Sequence, residues 1–191
     1  RRLQRAGKAR GEGARGQVRD ASRELAFAEA RATHKVIGAA DVVVTTCVGA
    51  GAEALQRAAS PARALKLRPV RFPTVVVDEA SQASEPAALV ALLHGCRQLV
   101  LVGDHNQLPP TVVSRDAAGK PAPDAGADAP GLAFAAGGGL ALSLFERLAV
   151  GARVAPRLLS RQYRMVPALA KWPSARFYGG RVETAAHRTR R

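Results

Sequence analysis

The sequence predicts an α/β fold whose parallel sheet is covered by helices on both faces. "ADVVVTTCVGAG", "FPTVVVDEA" and "CRQLVLVGD" are short apolar runs rich in β-branched residues, each closed by Gly or Asp. Stretches with helical patterning separate or flank them, and that alternation marks parallel strands buried on both sides. Two of the runs end in acids, Asp78–Glu79 and Asp104. Open α/β sheets bind their ligands beyond the carboxyl ends of the strands.

The elements follow in chain order. Residues 1–34 form a basic segment, with glycines scattered through 1–16 and a helical pattern over "DASRELAFAEARAT", capped by Asp20 or Ser22. The first strand run stops at Gly49 and Gly51. "SEPAALVALLHG" reads as a helix with Ser84 as N-cap, Pro86 in its first turn and Gly95 as its stop. Residues 115–139 turn to Ala, Gly, Pro and Asp and read as a flexible insertion loop. "LALSLFERLAV" patterns as an amphipathic helix, and "PRLLSRQYRM" opens a new sheet with a helix entering at Pro167.

Composition narrows the function classes. A 47% apolar content supports a packed core in 191 residues. No apolar run of membrane-spanning length and no signal-peptide pattern occurs, so the expectation is an intracellular protein, nuclear or cytoplasmic, with no membrane partner. Cys47 and Cys96 have no CxxC partner and read as reduced core residues. Net charge is +14, carried by the ends: residues 1–31 hold nine Lys/Arg against four acids, and 147–191 hold eleven against one. Basic ends on a neutral middle suit a polyanion such as nucleic acid. An Arg-rich composition by itself gives the same charge.

The acids carry the candidate chemistry. At a strand end, one carboxylate can hold magnesium while its neighbour polarises an attacking water. A polar turn at the surface is the alternative. "LVGDHNQLPP" sets Asp104 and Gln107 after the neighbouring strand, and a Gln amide both donates and accepts, so it can touch a terminal phosphate. "LLSRQYRMVP" presents Arg161 and Arg164, whose planar forks suit phosphate oxygens.

In this order, "VVVDEASQASEP", "LVLVGDHNQLPP", "LSLFERL" and "LLSRQYRMVPALAKWPSARFYGGRV" resemble successive motifs of superfamily 1 helicases. The likeness covers roughly residues 34 to 183 and is greatest to the nonsense-mediated-decay, senataxin and immunoglobulin-mu-binding group. It implies RecA-like sheets of the P-loop NTPase type: the later part of one domain over 35–150 and the start of a second over 155–191. It further implies ATP and Mg2+ in the cleft and 5′-to-3′ movement on single-stranded RNA or DNA. By motif, Asp78 would hold magnesium, Glu79 would activate water, and Gln82 would lie at the nucleotide. Asp104 would hold the sensor loop, Gln107 would sense the γ-phosphate, and Arg164 would reach it from the second domain. Thr45, Thr46 and Gly49 would face nucleic acid.

The sequence departs from the family at several points. Val166 stands where the family has His in "QYRMHP", and Trp172 opens "WPS" in place of "FPS". Nothing matches GxxxxGK[ST], and the late motifs of the second domain are not among these residues, so the expectation is the middle of a helicase. These residues alone are expected to turn over no ATP, because the loop that cradles the β and γ phosphates supplies most of their binding. Two other readings compete: a non-catalytic nucleic-acid-binding remnant of the fold, and a magnesium-dependent phosphotransfer domain. Phe177 and Tyr178 are the nearest base-stacking candidates, although core or hinge packing suits both.

Overall fold

The computed structural model describes residues 2–114, 139–152 and 154–185, with side chains from residue 15 onward. Apart from Gly139, the 115–139 insertion lies outside the described residues. The chain divides into two compact units, Arg1–Val75 with Leu89–Val100, and Val76–Ala88 with Leu101–Arg191.

In the first unit a single helix, α1, runs over Arg2–Gly38. Asp20 and Ser22 therefore lie inside it and cap nothing, and the glycine-bearing stretch before them is helical as well. Ala, Arg, Gln and Leu are good helix formers and outweigh the ~1 kcal/mol that each interior glycine costs. α1 packs on α2 (Glu53–Ala59), whose Leu55, Ala58 and Ala59 are buried with Ala50 and Leu65. Buried His94 closes this small core, with Nε2 2.7 Å from the Ala50 carbonyl and its ring edge-on to Phe72.

The run at Val42–Thr46 belongs to no strand, and Val44 is 91% exposed. A strand needs a neighbour to take its N–H and C=O groups, and none of the described residues supplies one there. The other two runs do become strands: β1 is Thr74–Val77 and β2 is Gln98–Leu101. The Gln98 N–H donates to the Pro73 carbonyl at 2.9 Å and the Val102 N–H to the Val77 carbonyl at 2.9 Å. Both partners advance together along the chain, so the pair is parallel. The helix between them, α3 (Glu85–Leu92), begins one residue after Ser84, as expected. The sheet is not covered on both faces among the described residues: Val77 is buried, but Val76 is 62% exposed.

In the second unit the predicted amphipathic helix is shorter and less regular. α4 is one turn, Leu144–Glu146, started by Ser143, whose fully buried hydroxyl accepts from the Glu146 N–H at 3.1 Å. A π-helical turn follows over Arg147–Gly151. Here Arg147 forks onto both Glu85 oxygens, at 2.7 and 2.6 Å. That hydrogen-bonded pairing holds the Glu85 carboxyl below its ordinary pKa against the smaller opposing effect of burial.

The new sheet predicted from "PRLLSRQYRM" is present as β3 (Arg161–Gln162), paired in parallel with β4 (Glu183–Thr184). Between them α5 spans Pro167–Tyr178, entering at Pro167 as the sequence indicates. It stops at Gly179, whose φ of 59° is a conformation that glycine adopts without the steric cost of a Cβ.

Candidate functional site

β1 delivers Asp78 and Glu79 to an exposed turn that its own hydrogen bonds shape. Asp78 Oδ1 accepts the Glu79 N–H at 3.0 Å, and the Gln82 side-chain amide donates to Glu79 Oε2 at 3.0 Å. Glu79 has φ of 50°, a left-handed conformation that costs a non-glycine residue ~1 kcal/mol or more. The turn is held in it from the far side, where the Ala80 N–H donates to the Val102 carbonyl at 2.8 Å.

The loop after β2 is stitched to that turn. The Asp104 N–H donates to the hydroxyl of buried Ser81 at 3.2 Å. Between the two segments Gly103 leaves no space: a Cβ there would stand 2.9 Å from the Ser81 nitrogen and 3.2 Å from the Ala80 nitrogen. Both are backbone atoms, so neither can swing away. Gly103→Ala is therefore expected to destabilise the fold by about 1–3 kcal/mol, the usual cost of overpacking. Urea unfolding measures this, and an unchanged midpoint would mean the two loops do not lie this close.

Asp104 is the hub of its loop. Its Oδ1 accepts the Asn106 N–H at 3.0 Å, and its Oδ2 accepts both the Gln107 side-chain amide at 2.8 Å and the Tyr178 hydroxyl at 2.5 Å. Burial pushes the Asp104 carboxyl up, but the donors Tyr178, Gln107 and Asn106, with the nearby His105, together hold it below its ordinary pKa. Burial, then the bond to Asp104 and its charge, push the Tyr178 phenol up to about 12. The chain has two tyrosines, so one phenolate absorbance step is expected near pH 12, and Tyr178→Phe should remove it. The sign of the linkage is set by the raised value. The stabilising contribution is complete below the ordinary pKa near 10 and is lost as pH rises through about 12. A titration with no phenolate step near pH 12 would contradict the bond.

The predicted residues thus fall into three groups. Asp78, Glu79 and Gln82 share one turn, Asp104 and Gln107 share one loop, and the Ala80–Val102 backbone bond and the Asp104 N–H to Ser81 hydroxyl bond join turn to loop. Arg164 is exposed, and its backbone N–H, like that of Met165, is held by Gln162 Oε1 at 2.8 Å. Among the described residues it makes no ion pair with the strand-end acids. Thr45, Thr46 and Gly49 belong to the other unit and form a tight turn of their own. The Gly49 N–H donates to Thr46 Oγ1 at 2.9 Å, and a Cβ on Gly49 would stand 2.5 Å from Thr45 Oγ1. Ser81 and Gly103 went unnoticed in the sequence, although both lie within the motif stretches. Tyr178, read as a packing or stacking residue, is a hydrogen-bond donor to Asp104 from 74 positions away.

The donor set suits a nucleotide and magnesium. Among the described residues no group of three or more His, Cys, Asp or Glu could hold a metal unaided. Magnesium is commonly held by one or two carboxylates together with substrate phosphates, and exposed Asp78 keeps its second carboxylate oxygen free of the turn's own bonds. No described helix is long and apolar enough to cross a membrane.

A family model described as an AAA domain matches residues 2–115, and a second with the same description matches 140–191. The chain is 37% identical to the "Regulator of nonsense transcripts 1 homolog" of Neurospora crassa, over 84% of this chain and 12% of that protein. It is 40% identical to the "ATP-dependent helicase NAM7" of Saccharomyces cerevisiae, over 78% and 12% respectively. With the "ATP-dependent helicase upf1" of Schizosaccharomyces pombe it shares 35% identity, over 95% and 16%. The chain therefore spans about an eighth to a sixth of the length of these relatives.

Proposed function

We propose, starting from the fact that the chain belongs to the superfamily 1 helicases of the nonsense-mediated-decay and senataxin type, that its strand-end acids form the terminal-phosphate end of an ATPase site. That site drives movement along single-stranded RNA or DNA inside the cell. The observation that carries the reading is the stitching of the "DEASQ" turn to the "GDHNQ" loop through Ala80–Val102 and Asp104–Ser81. A polar strand end with no task needs neither that bonding nor a strained Glu79.

In this reading the Asp78 carboxylate holds magnesium, which when bound offsets charge on the phosphates. Glu79 accepts a hydrogen bond from the attacking water and takes its proton, and Gln82 fixes the orientation of the Glu79 carboxylate. Gln107 presents its amide to the terminal phosphate while Asp104 keeps that amide from turning. Arg164 arrives from a second RecA-like domain, of which β3, α5 and β4 are the opening crossover. Thr45, Thr46 and Gly49, with the basic ends of the chain, face the nucleic acid, and the net charge of +14 supports that partner.

The phosphate-cradling loop is not among these residues, so the reading is tested in a chimera. The matching segment of the Saccharomyces cerevisiae helicase is replaced by residues 1–191. The affinity of the chimera for single-stranded RNA is then measured across salt concentrations, with and without magnesium and a non-hydrolysable ATP analogue. The expected result is an affinity that falls with salt and changes when the nucleotide is added. An affinity that depends on salt and ignores nucleotide would favour the non-catalytic binding module.

A further inference from the structure

Tyr178 and Gln107 donate to the same oxygen, Asp104 Oδ2, at 2.5 and 2.8 Å. The other oxygen is taken by the Asn106 N–H. A carboxylate so occupied has no freedom to rotate, and a phenol donating to it at this length is a strong, charge-assisted bond. The Gln107 side chain is anchored to Asp104 Oδ2, and it also interacts with the Tyr178 hydroxyl, the smallest of the influences on that phenol. With one amide hydrogen tied to Oδ2, its carbonyl oxygen and second hydrogen have fixed directions.

The other end of the link is as firmly set. Tyr178 is the last residue of α5, and the hydroxyl of Ser174, one turn earlier, both donates to the Val182 carbonyl at 2.7 Å and accepts the Val182 N–H at 3.1 Å. The Glu183 and Ala185 N–H groups bond back to the Ser160 and Gln162 carbonyls at 2.7 and 2.9 Å. Gln162 in turn holds the Arg164 turn through the Arg164 and Met165 N–H groups. Arg164 and Tyr178 therefore ride on one hydrogen-bonded piece, β3–α5–β4, with the arginine before the start of the helix and the phenol at its end.

We propose that Tyr178 is a positioning residue for Gln107, acting through Asp104, and that its hydroxyl couples the β3–α5–β4 piece to the loop that senses the terminal phosphate. The inference rests on the reading of Gln107 as that sensor. Any shift of α5 that draws the phenol away takes a donor from Asp104 Oδ2, and the carboxylate is then free to turn and release the Gln107 amide. The ring of Tyr178 is half-buried, so Tyr178→Phe removes the donor and keeps the packing.

The test uses the 191-residue chain without nucleotide and reads the side-chain amide signals of Gln107 by NMR, assigned by their loss in Gln107→Glu. Tyr178→Phe is expected to shift those signals and to speed side-chain amide exchange about tenfold, in line with the loss of one hydrogen bond to a charged group. In an Asp104→Ala background the same substitution is expected to have a much smaller effect, since the main link it cuts is already gone and only the direct interaction of Gln107 with the phenol remains. Gln107 signals untouched by Tyr178→Phe would overturn the proposal, and so would an equal effect with Asp104 absent. Failure of the sensor reading shows elsewhere, as ATP turnover of the chimera that is indifferent to Gln107→Ala, and leaves the amide result as it stands.

Discussion

Glu79→Gln in the chimera is expected to lower ATP turnover by about 10²–10⁴-fold, the usual contribution of a positioned general base, while nucleotide affinity stays within about threefold. The substitution is close to isosteric. The amide oxygen of the new side chain can still accept from the Gln82 amide, and the left-handed backbone at this position is held by Ala80 and Asp78 and not by the Glu79 carboxylate. What disappears is the ability to take a proton from water. Steady-state turnover together with nucleotide titration separates the two effects. A variant that keeps full turnover would return Asp78 and Glu79 to the status of a polar strand end.

Arg164→Ala is expected to cost about 10³-fold or more in turnover, the range for an arginine that stabilises charge on a transferring phosphoryl group. Its side chain is exposed and makes no ion pair among the described residues, so its loss should leave the thermal midpoint within about 1 °C of the parent. Arg164→Lys should recover little, because a point charge on a flexible stem lacks the planar fork that grips two phosphate oxygens. Full recovery by lysine would show that charge alone is required and would remove the argument for a bidentate contact. The neighbouring Gln162 makes the opposite expectation explicit. It holds the turn that presents Arg164, so replacing it should disturb folding as well as rate.

What the sequence made legible was local. The valines of β1 and the "LVLVG" run of β2 announce strands through their β-branched content, and the acids behind them are visible because each directly follows its run or lies a few residues beyond it. Pro167 marks the entry of α5, since proline fits the first turn of a helix where its missing N–H costs nothing. Less visible were features set by neighbours in space. "DVVVTT" has the composition of a strand, but a strand is a pair property, and no partner lies beside it among the described residues. α1 runs through its expected cap because a capping residue acts only where a helix has other reason to begin. "LFERLAV" carries the apolar spacing of a helix and breaks into a π-helical turn, at the residue where Arg147 reaches across to Glu85.

The candidate site shows the same division. Asp78, Glu79, Gln82, Asp104 and Gln107 were found as motif residues, each with a side chain whose chemistry could be named in advance. Ser81 and Gly103 matter because the Asp104 N–H bonds to the Ser81 hydroxyl at 3.2 Å where Gly103 has room for no side chain, and distance between loops is not written in either one. Tyr178 lay furthest from view. A tyrosine closing a helix is ordinary, and only the fold brings its hydroxyl to Asp104.

The most direct measurement of the central claim is ATP turnover by the chimera carrying the unaltered segment, with and without single-stranded RNA. The account expects turnover that rises when the RNA is added, because the acids, the sensor glutamine and Arg164 supply what the rest of the relative's site requires. A folded chimera that binds both RNA and nucleotide yet turns over no ATP would contradict it.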